Sequence, residues 1–137
     1  MTYVSMHEYM VADGVVASVL RYASESGRSV RRFKVVVGEL SMLDRQILSE
    51  AIKGLLEKSN LKGVEFSVET EPAKIICGIC GNIMTFEEAT SKLDESEKEV
   101  VHFIPDLISS YSTCSRCGSM DLRVVAGRWV EVKDVVS

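Results

Sequence analysis

Cys77-Gly78-Ile79-Cys80-Gly81 and Cys114-Ser115-Arg116-Cys117-Gly118 repeat one short pattern, and together they hold all four cysteines of the chain. A C-x-x-C pair on a tight turn brings two sulfurs to one side, and two such turns supply the four soft ligands of a tetrahedral metal site. The glycine after each second cysteine suits the turn. Lacking a Cβ, it takes positive φ at little cost and lets the turn's amides point at sulfur. Disulfides are the competing reading, but they belong mostly to small secreted domains, and neither pair has the surroundings of a thioredoxin-like dithiol. The spacing predicts structural Zn(II) on Cys77, Cys80, Cys114 and Cys117. Four thiolates close the coordination sphere, whereas catalytic zinc keeps a position open, so the metal is read as a staple of the fold. The linker from Gly81 to Thr113 is long, but loop-closure entropy grows only logarithmically and metal binding offsets it.

Around these knuckles lies a chain of 137 residues, 46% hydrophobic, which suffices for one compact domain and a metal-stapled lobe. A net charge of −4 argues against a general nucleic-acid binder, which carries a basic balance. No apolar run approaches a membrane span and the N-terminus has no signal-peptide pattern, so a cytoplasmic protein is expected.

Before the first knuckle, Val11, Ala12, Val15, Val16, Val19, Leu20 and Ala23 recur at helical spacing. They predict a helix from about Glu8 to Ser26, closed by Gly27, with residues 1–5 as a non-periodic extension. Phe33, Val35 and Val37 then alternate as a half-buried strand ending at Gly38. Ser41 and Asp44 form a capping-box-like start for a helix striped by Ile47, Leu48, Ala51, Ile52, Leu55 and Leu56, which Asn60 and Gly63 close. Val64, Phe66 and Val68 mark a second strand, stopped by Pro72.

Beyond the first knuckle, residues 86–93 read as a short helix and Asp94 to Glu99 as a solvated, charge-dense excursion. Pro105 is suited to open a helical turn. Val124, Ala126, Val130 and Val132 share one parity and close the chain with one or two strands. The pattern predicts an α/β fold: a small sheet flanked by two helices, built from residues 1–73 and 120–137, with a four-cysteine zinc-ribbon-like domain inserted at 74–119. Arg28, Arg31, Arg32 and Lys34 form a basic cluster, and Glu65 and Glu69 are expected to face it across an antiparallel strand pair.

No catalytic motif is present: there is no G-x-S-x-G, no P-loop and no H-E-x-x-H, since His7-Glu8 has no second histidine at helical spacing. The chain has two histidines, His7 and His102.

Met6-His7-Glu8 at the opening of an amphipathic helix, Val35-Val36-Val37-Gly38-Glu39-Leu40-Ser41 at a strand end, Val64-Glu65-Phe66, the two C-x-x-C-G knuckles and the closing β segment follow one another in an order that resembles the HypA/HybF nickel metallochaperone family. The resemblance covers nearly the whole chain, and the linker carrying His102-Phe103-Ile104-Pro105 is similar to that of the archaeal members. It implies a protein that is not an enzyme, with a nickel-binding domain and a zinc domain. Its function would be delivery of Ni(II) to the [NiFe]-hydrogenase large subunit, with a HypB-type nucleotide-hydrolysing partner.

The nickel residues it implies are Met6, His7 and Glu8. His7 Nδ1 and the backbone nitrogens of His7 and Glu8 form adjoining chelate rings, which suits square-planar Ni(II). In the family the initiating Met-His-Glu also offers its terminal amine. Here five residues precede Met6, so either Met6 is the natural start or another donor replaces the amine. His102, the one other imidazole, is the candidate for that corner, and its apolar neighbours equally suit a histidine packed beside a hinge. The alternative readings are a zinc-ribbon nucleic-acid-binding or transcription-associated module, supported by the knuckles and the Arg28 to Lys34 cluster, and a zinc-dependent enzyme, which would need an open metal position.

Overall fold

In the computed structural model, residues 2–61 and 63–137 are described, with side chains described from His7 onward. Met6, named above among the nickel residues, therefore has no described side chain. The chain divides into two units, Met1–Val37 with Met42–Thr70 and Val130–Ser137, and Gly38–Ser41 with Glu71–Trp129.

In the first unit, helix α1 spans Thr2–Ser26. It starts earlier than the apolar stripe indicated, because each residue added to an existing helix gains a hydrogen bond whether or not it has a core to face. His7 thus lies within a helix and not at its opening. The stripe itself is as expected: Ala12, Val15, Val16 and Val19 are buried, and the Gly27 amide donates to the Ala23 carbonyl at the end.

Strand β1 (Arg32–Gly38) and helix α2 (Arg45–Glu57) follow. Asp44, not Ser41, caps α2, its side chain accepting from the Ile47 amide at 3.0 Å. Ser41 ends a 3-10 turn, Glu39–Ser41, and its hydroxyl donates to the Gly38 carbonyl. Leu48, Ala51, Ile52 and Leu56 turn inward from α2, which ends at Glu57, before Asn60.

The sheet of this unit has the order β2-β1-β6, with β2 at Glu65–Glu71 and β6 at Val130–Val136. Central β1 buries Phe33, Val35 and Val37, and pairs antiparallel with β6 through Val35 opposite Val132 and Val37 opposite Val130. Toward β2, the Glu65 amide donates to the Arg31 carbonyl, Phe33 stacks on Phe66 and Lys34 Nζ meets Glu69 at 3.0 Å. These contacts climb both strands in the same sense, so β2 runs parallel to β1 with α2 as the crossover, correcting the antiparallel expectation. Charge pattern alone is blind to strand direction.

Lys34 also meets Asp134 at 3.3 Å, and Arg31 Nε donates to the Ser137 carbonyl. The hydrogen bond to Glu69, then that to Asp134, raises the Lys34 pKa. These two members of the basic cluster serve the sheet.

The second unit is built on the sheet β4-β3-β5, with β3 at Lys74–Cys77, β4 at Ile83–Thr85 and β5 at Leu122–Ala126. Both neighbours run antiparallel to β3, with Met84 and Val124 on either side of fully buried Ile75. The sequence reading placed residues 120–137 together in the first domain, but β5 pairs with β3 and only β6 enters the first sheet. The parity run from Val124 to Val132 breaks at Gly127, where φ is +80°.

Helix α3 (Phe86–Thr90) opens with a Thr85–Glu88 capping box. The charged stretch after it is helix α4 (Glu95–Phe103), not an excursion, because Asp94 and Glu97 form a second capping box and Val101 is buried behind the charges. Pro105 opens a 3-10 turn, Pro105–Leu107, and helix α5 (Ile108–Tyr111) leads to the second knuckle.

The Gly38–Ser41 segment packs within this unit. Leu40 is buried, its amide donates to the Gly127 carbonyl at 2.8 Å, and Glu39 accepts from the Ala73 amide at 2.8 Å. Glu71 in turn accepts from the Gly127 amide at 2.9 Å. A Cβ on Gly127 would lie 2.4 Å from the Ala73 Cα, against backbone that cannot step aside. With the positive φ added, Gly127→Ala is expected to destabilise the protein by roughly 2 to 4 kcal/mol, measured by urea denaturation.

Candidate metal centre

Strand β3 ends at Cys77, and the chain turns back at once: the Gly81 amide donates to the Cys77 carbonyl at 3.0 Å and the Cys77 amide to the Asn82 carbonyl at 2.9 Å. The second knuckle repeats this, Gly118 donating to Cys114 at 2.9 Å and Cys114 to Ser119 at 2.8 Å. Gly81 and Gly118 take φ of +77° and +76°, the conformation their position after each second cysteine suggested.

The two turns bring all four sulfurs within 4.8 Å of one another, with Cys77 to Cys117 and Cys80 to Cys114 both at 3.6 Å. A disulfide requires about 2.05 Å, so the cysteines are free thiols at this spacing. A tetrahedron with metal–sulfur arms of about 2.3 Å has edges of about 3.8 Å, close to the 3.6 Å of these two pairs. Donor set and geometry fit a closed tetrahedral metal. Each knuckle gives one buried sulfur residue, Cys77 or Cys114, and one exposed, Cys80 or Cys117.

Main-chain amides feed the buried sulfurs. Ile79 and Cys80 donate to Cys77 at 3.4 and 3.5 Å, and Arg116 donates to Cys114 at 3.4 Å. Asn82, which the sequence reading passed over, adds its side-chain amide to Cys114 at 3.7 Å. Its signal was only its place just after the knuckle glycine.

These donors stabilise thiolate. The Cys80 amide lowers the Cys77 pKa, and the Cys117 amide, with Arg116 and Asn82 assisting, brings Cys114 down to about 6 against the opposing effect of burial. At Cys117 the Ser119 amide also pulls downward, but burial and the three neighbouring sulfurs outweigh it and push the group up to about 12. The four sulfurs cannot all ionise at this spacing until a cation joins them.

The N-terminal motif is arranged differently. His7 is exposed on α1, whereas Glu8, the next residue, is fully buried. Glu8 Oε2 accepts from the Asp44 amide at 2.6 Å, so the structure brings Asp44 beside the motif, a neighbour that sequence separation concealed. His102 sits in the last turn of α4, half-buried, with its ring edge-on to Phe86 at 5.2 Å between centroids. His7 belongs to the first unit and His102 to the second.

An α/β unit joined in sequence to a second unit that gathers four cysteine sulfurs at metal-binding distance defines a small metal-handling protein. The chain belongs to the HypA family, whose model, described as hydrogenase/urease nickel incorporation, metallochaperone, matches residues 6–137. It is 38% identical over 132 residues to the hydrogenase maturation factor HypA of Pyrococcus furiosus, covering 96% of this chain and 95% of that one. The corresponding factor of Pyrococcus horikoshii is 38% identical over 131 residues, covering 95% and 94%.

Two solved structures share the fold. The solution structure of the Ni metallochaperone HypA from Helicobacter pylori matches with a TM-score of 0.57 and 18% identity over 93% of this chain and 94% of that one. A second, titled solution structure of HypA protein, matches with a TM-score of 0.61 and 19% identity over 95% and 94%.

The thiol pKa values give metal loading a pH dependence of fixed sign. At pH 7 Cys117 keeps its proton and Cys114 has mostly lost its own. Metal binding should therefore release protons, affinity should rise with pH, and the fall should steepen as pH drops through about 6, where Cys114 must also be deprotonated. Calorimetry in buffers of differing ionisation enthalpy measures the protons released.

Proposed function

We propose that this protein is a nickel metallochaperone. It binds Ni(II) at Met6-His7-Glu8 and delivers it to the [NiFe]-hydrogenase large subunit with a HypB-type nucleotide-hydrolysing partner, while Cys77, Cys80, Cys114 and Cys117 hold a structural Zn(II). The observation that carries this reading is the family match, which begins at residue 6 and so has Met6-His7-Glu8 at its first positions. Four soft thiolates at tetrahedral spacing suit Zn(II), and nitrogen donors in a plane suit Ni(II). A closed cage retains its ion, whereas a site on an exposed helix turn exchanges it, and a carrier that is not an enzyme needs both behaviours. Among the described residues no helix is long and apolar enough to cross a membrane.

The extent of α1 sharpens the nickel chemistry. Inside a helix the amides of His7 and Glu8 bond to carbonyls four residues earlier, so coordination through them must break those bonds. In a chain beginning at Met6 the same amides are in the first turn, where helix N–H groups have no partner, and a free amine joins them. Removing residues 1–5 should therefore tighten Ni(II) binding and weaken its pH dependence, as measured by calorimetry across neutral pH. Equal affinities would remove the amine from the site.

His7→Ala is expected to abolish specific nickel binding. His102→Ala separates the two readings of that residue: weakened nickel binding would make it a donor, and an unchanged nickel affinity and absorption spectrum would leave it as the packing partner of Phe86. For the second site, metal analysis of a Cys77→Ser, Cys114→Ser double variant should find zinc lost and the second unit loosened, because binding free energy at a structural site is folding free energy.

A further inference from the structure

Along the buried face of α1, Ala12, Val15, Val16 and Val19 are apolar, and the stripe continues toward the N-terminus with an acid, Glu8. Its side chain is 0% exposed, and of the described residues only Glu8 and Thr90 are buried and polar. Burying a carboxylate is unfavourable unless its oxygens are bonded, and an apolar side chain docks a helix more cheaply. Here one oxygen is bonded, Oε2 to the Asp44 amide at 2.6 Å, while buried Oε1 has no hydrogen-bond partner among the described residues. Packing alone gives no reason for an acid in this place.

What the bond does supply is direction. Asp44 is fixed as the cap of α2 by its own bond to the Ile47 amide, and α2 is held by Leu48, Ala51 and Ile52 in the core. Glu8 ties the first turns of α1 to that fixed point. Successive residues on a helix differ by about 100° around its axis, so a Glu8 clamped inward sets His7 outward.

We propose that the Glu8 side chain is the positioning residue of the nickel site: by gripping the Asp44 amide it holds His7 on the outward side of α1 before the metal arrives. The proposal rests on the nickel-site reading above. Supporting bonds of this kind change metal affinity by about 10- to 100-fold when removed.

The test uses the full chain and Ni(II), with dissociation constant, d–d absorption spectrum and apo-protein melting recorded for Glu8→Leu, Glu8→Gln and His7→Ala. Glu8→Leu continues the apolar stripe and cannot grip Asp44, so it should keep the fold, raise the nickel dissociation constant about 10- to 100-fold and alter the spectrum. Glu8→Gln keeps a carbonyl oxygen for the Asp44 amide and should stay within about threefold of the parent, less than such a supporting bond is worth. Parent-like affinity and spectrum in Glu8→Leu overturn the proposal. So does a folded Glu8→Gln that loses nickel as completely as His7→Ala, since charge would then matter and the grip on Asp44 would not. Nickel binding that survives His7→Ala instead overturns the site reading itself, whatever the Glu8 variants do.

Discussion

Four sulfurs from two distant turns lie close enough that they repel as thiolates and cohere around a cation. This constraint organises the second unit. Cys77 closes β3, the strand flanked by β4 and β5, and Cys114 follows α5, so a metal at the cluster fastens the end of the sheet to the end of the helical excursion. Cys77 and Cys114 also belong to the buried core with Ile75, Met84, Phe86, Val101 and Ile108. Metal and hydrophobic core are therefore one construction in this unit. The thiol pKa values carry the same tension: amides draw Cys114 toward thiolate while crowding holds the proton on Cys117, and a divalent ion resolves both.

The first unit is held by apolar packing. A three-stranded sheet takes both helices on its core, with Val35 at its centre and Phe33 stacked on Phe66. This is a rigid support for an exposed turn. The cysteine cluster and the proposed nickel site then differ in kind for one reason, the coordination that each backbone leaves possible. Paired knuckles converge on a point and enclose an ion, whereas a helix turn presents its donors outward. Retention belongs to the first arrangement and exchange to the second.

Glu8 marks the place where the two demands of the first unit meet. Its position in the stripe of α1 belongs to packing, and its chemistry belongs to orientation. Asp44 shows the same economy: one residue caps α2 through its side chain and anchors α1 through its amide. A single substitution at either position acts on more than one structural task.

The repeated C-x-x-C-G pattern determined the four-sulfur cluster by itself, because the turn geometry is local and two identical turns have one shared use. The stripes of α1 and α2 and the alternation of β1 were equally legible, since helix and strand periods are properties of consecutive residues. The Met-His-Glu turn stood out as a candidate nickel site only through the resemblance to the HypA/HybF family. What needed the tertiary structure were relations between distant residues.

Nothing near Glu8 predicts that its carboxylate turns inward to Asp44, because helical period assigns a face and not a partner. The parallel run of β1 and β2 was hidden for the same reason, as Lys34 and Glu69 attract in either strand direction. The assignment of β5 and β6 to different sheets depended on one backbone turn at Gly127 within a run of uniform parity. Charge alone makes Asp94 to Glu99 look like solvated surface, yet its capping box and buried Val101 make it a helix. Local pattern determined most of the helices and strands of the first unit and where sulfur gathers, while the choice among partners of similar local energy belonged to packing across the whole chain.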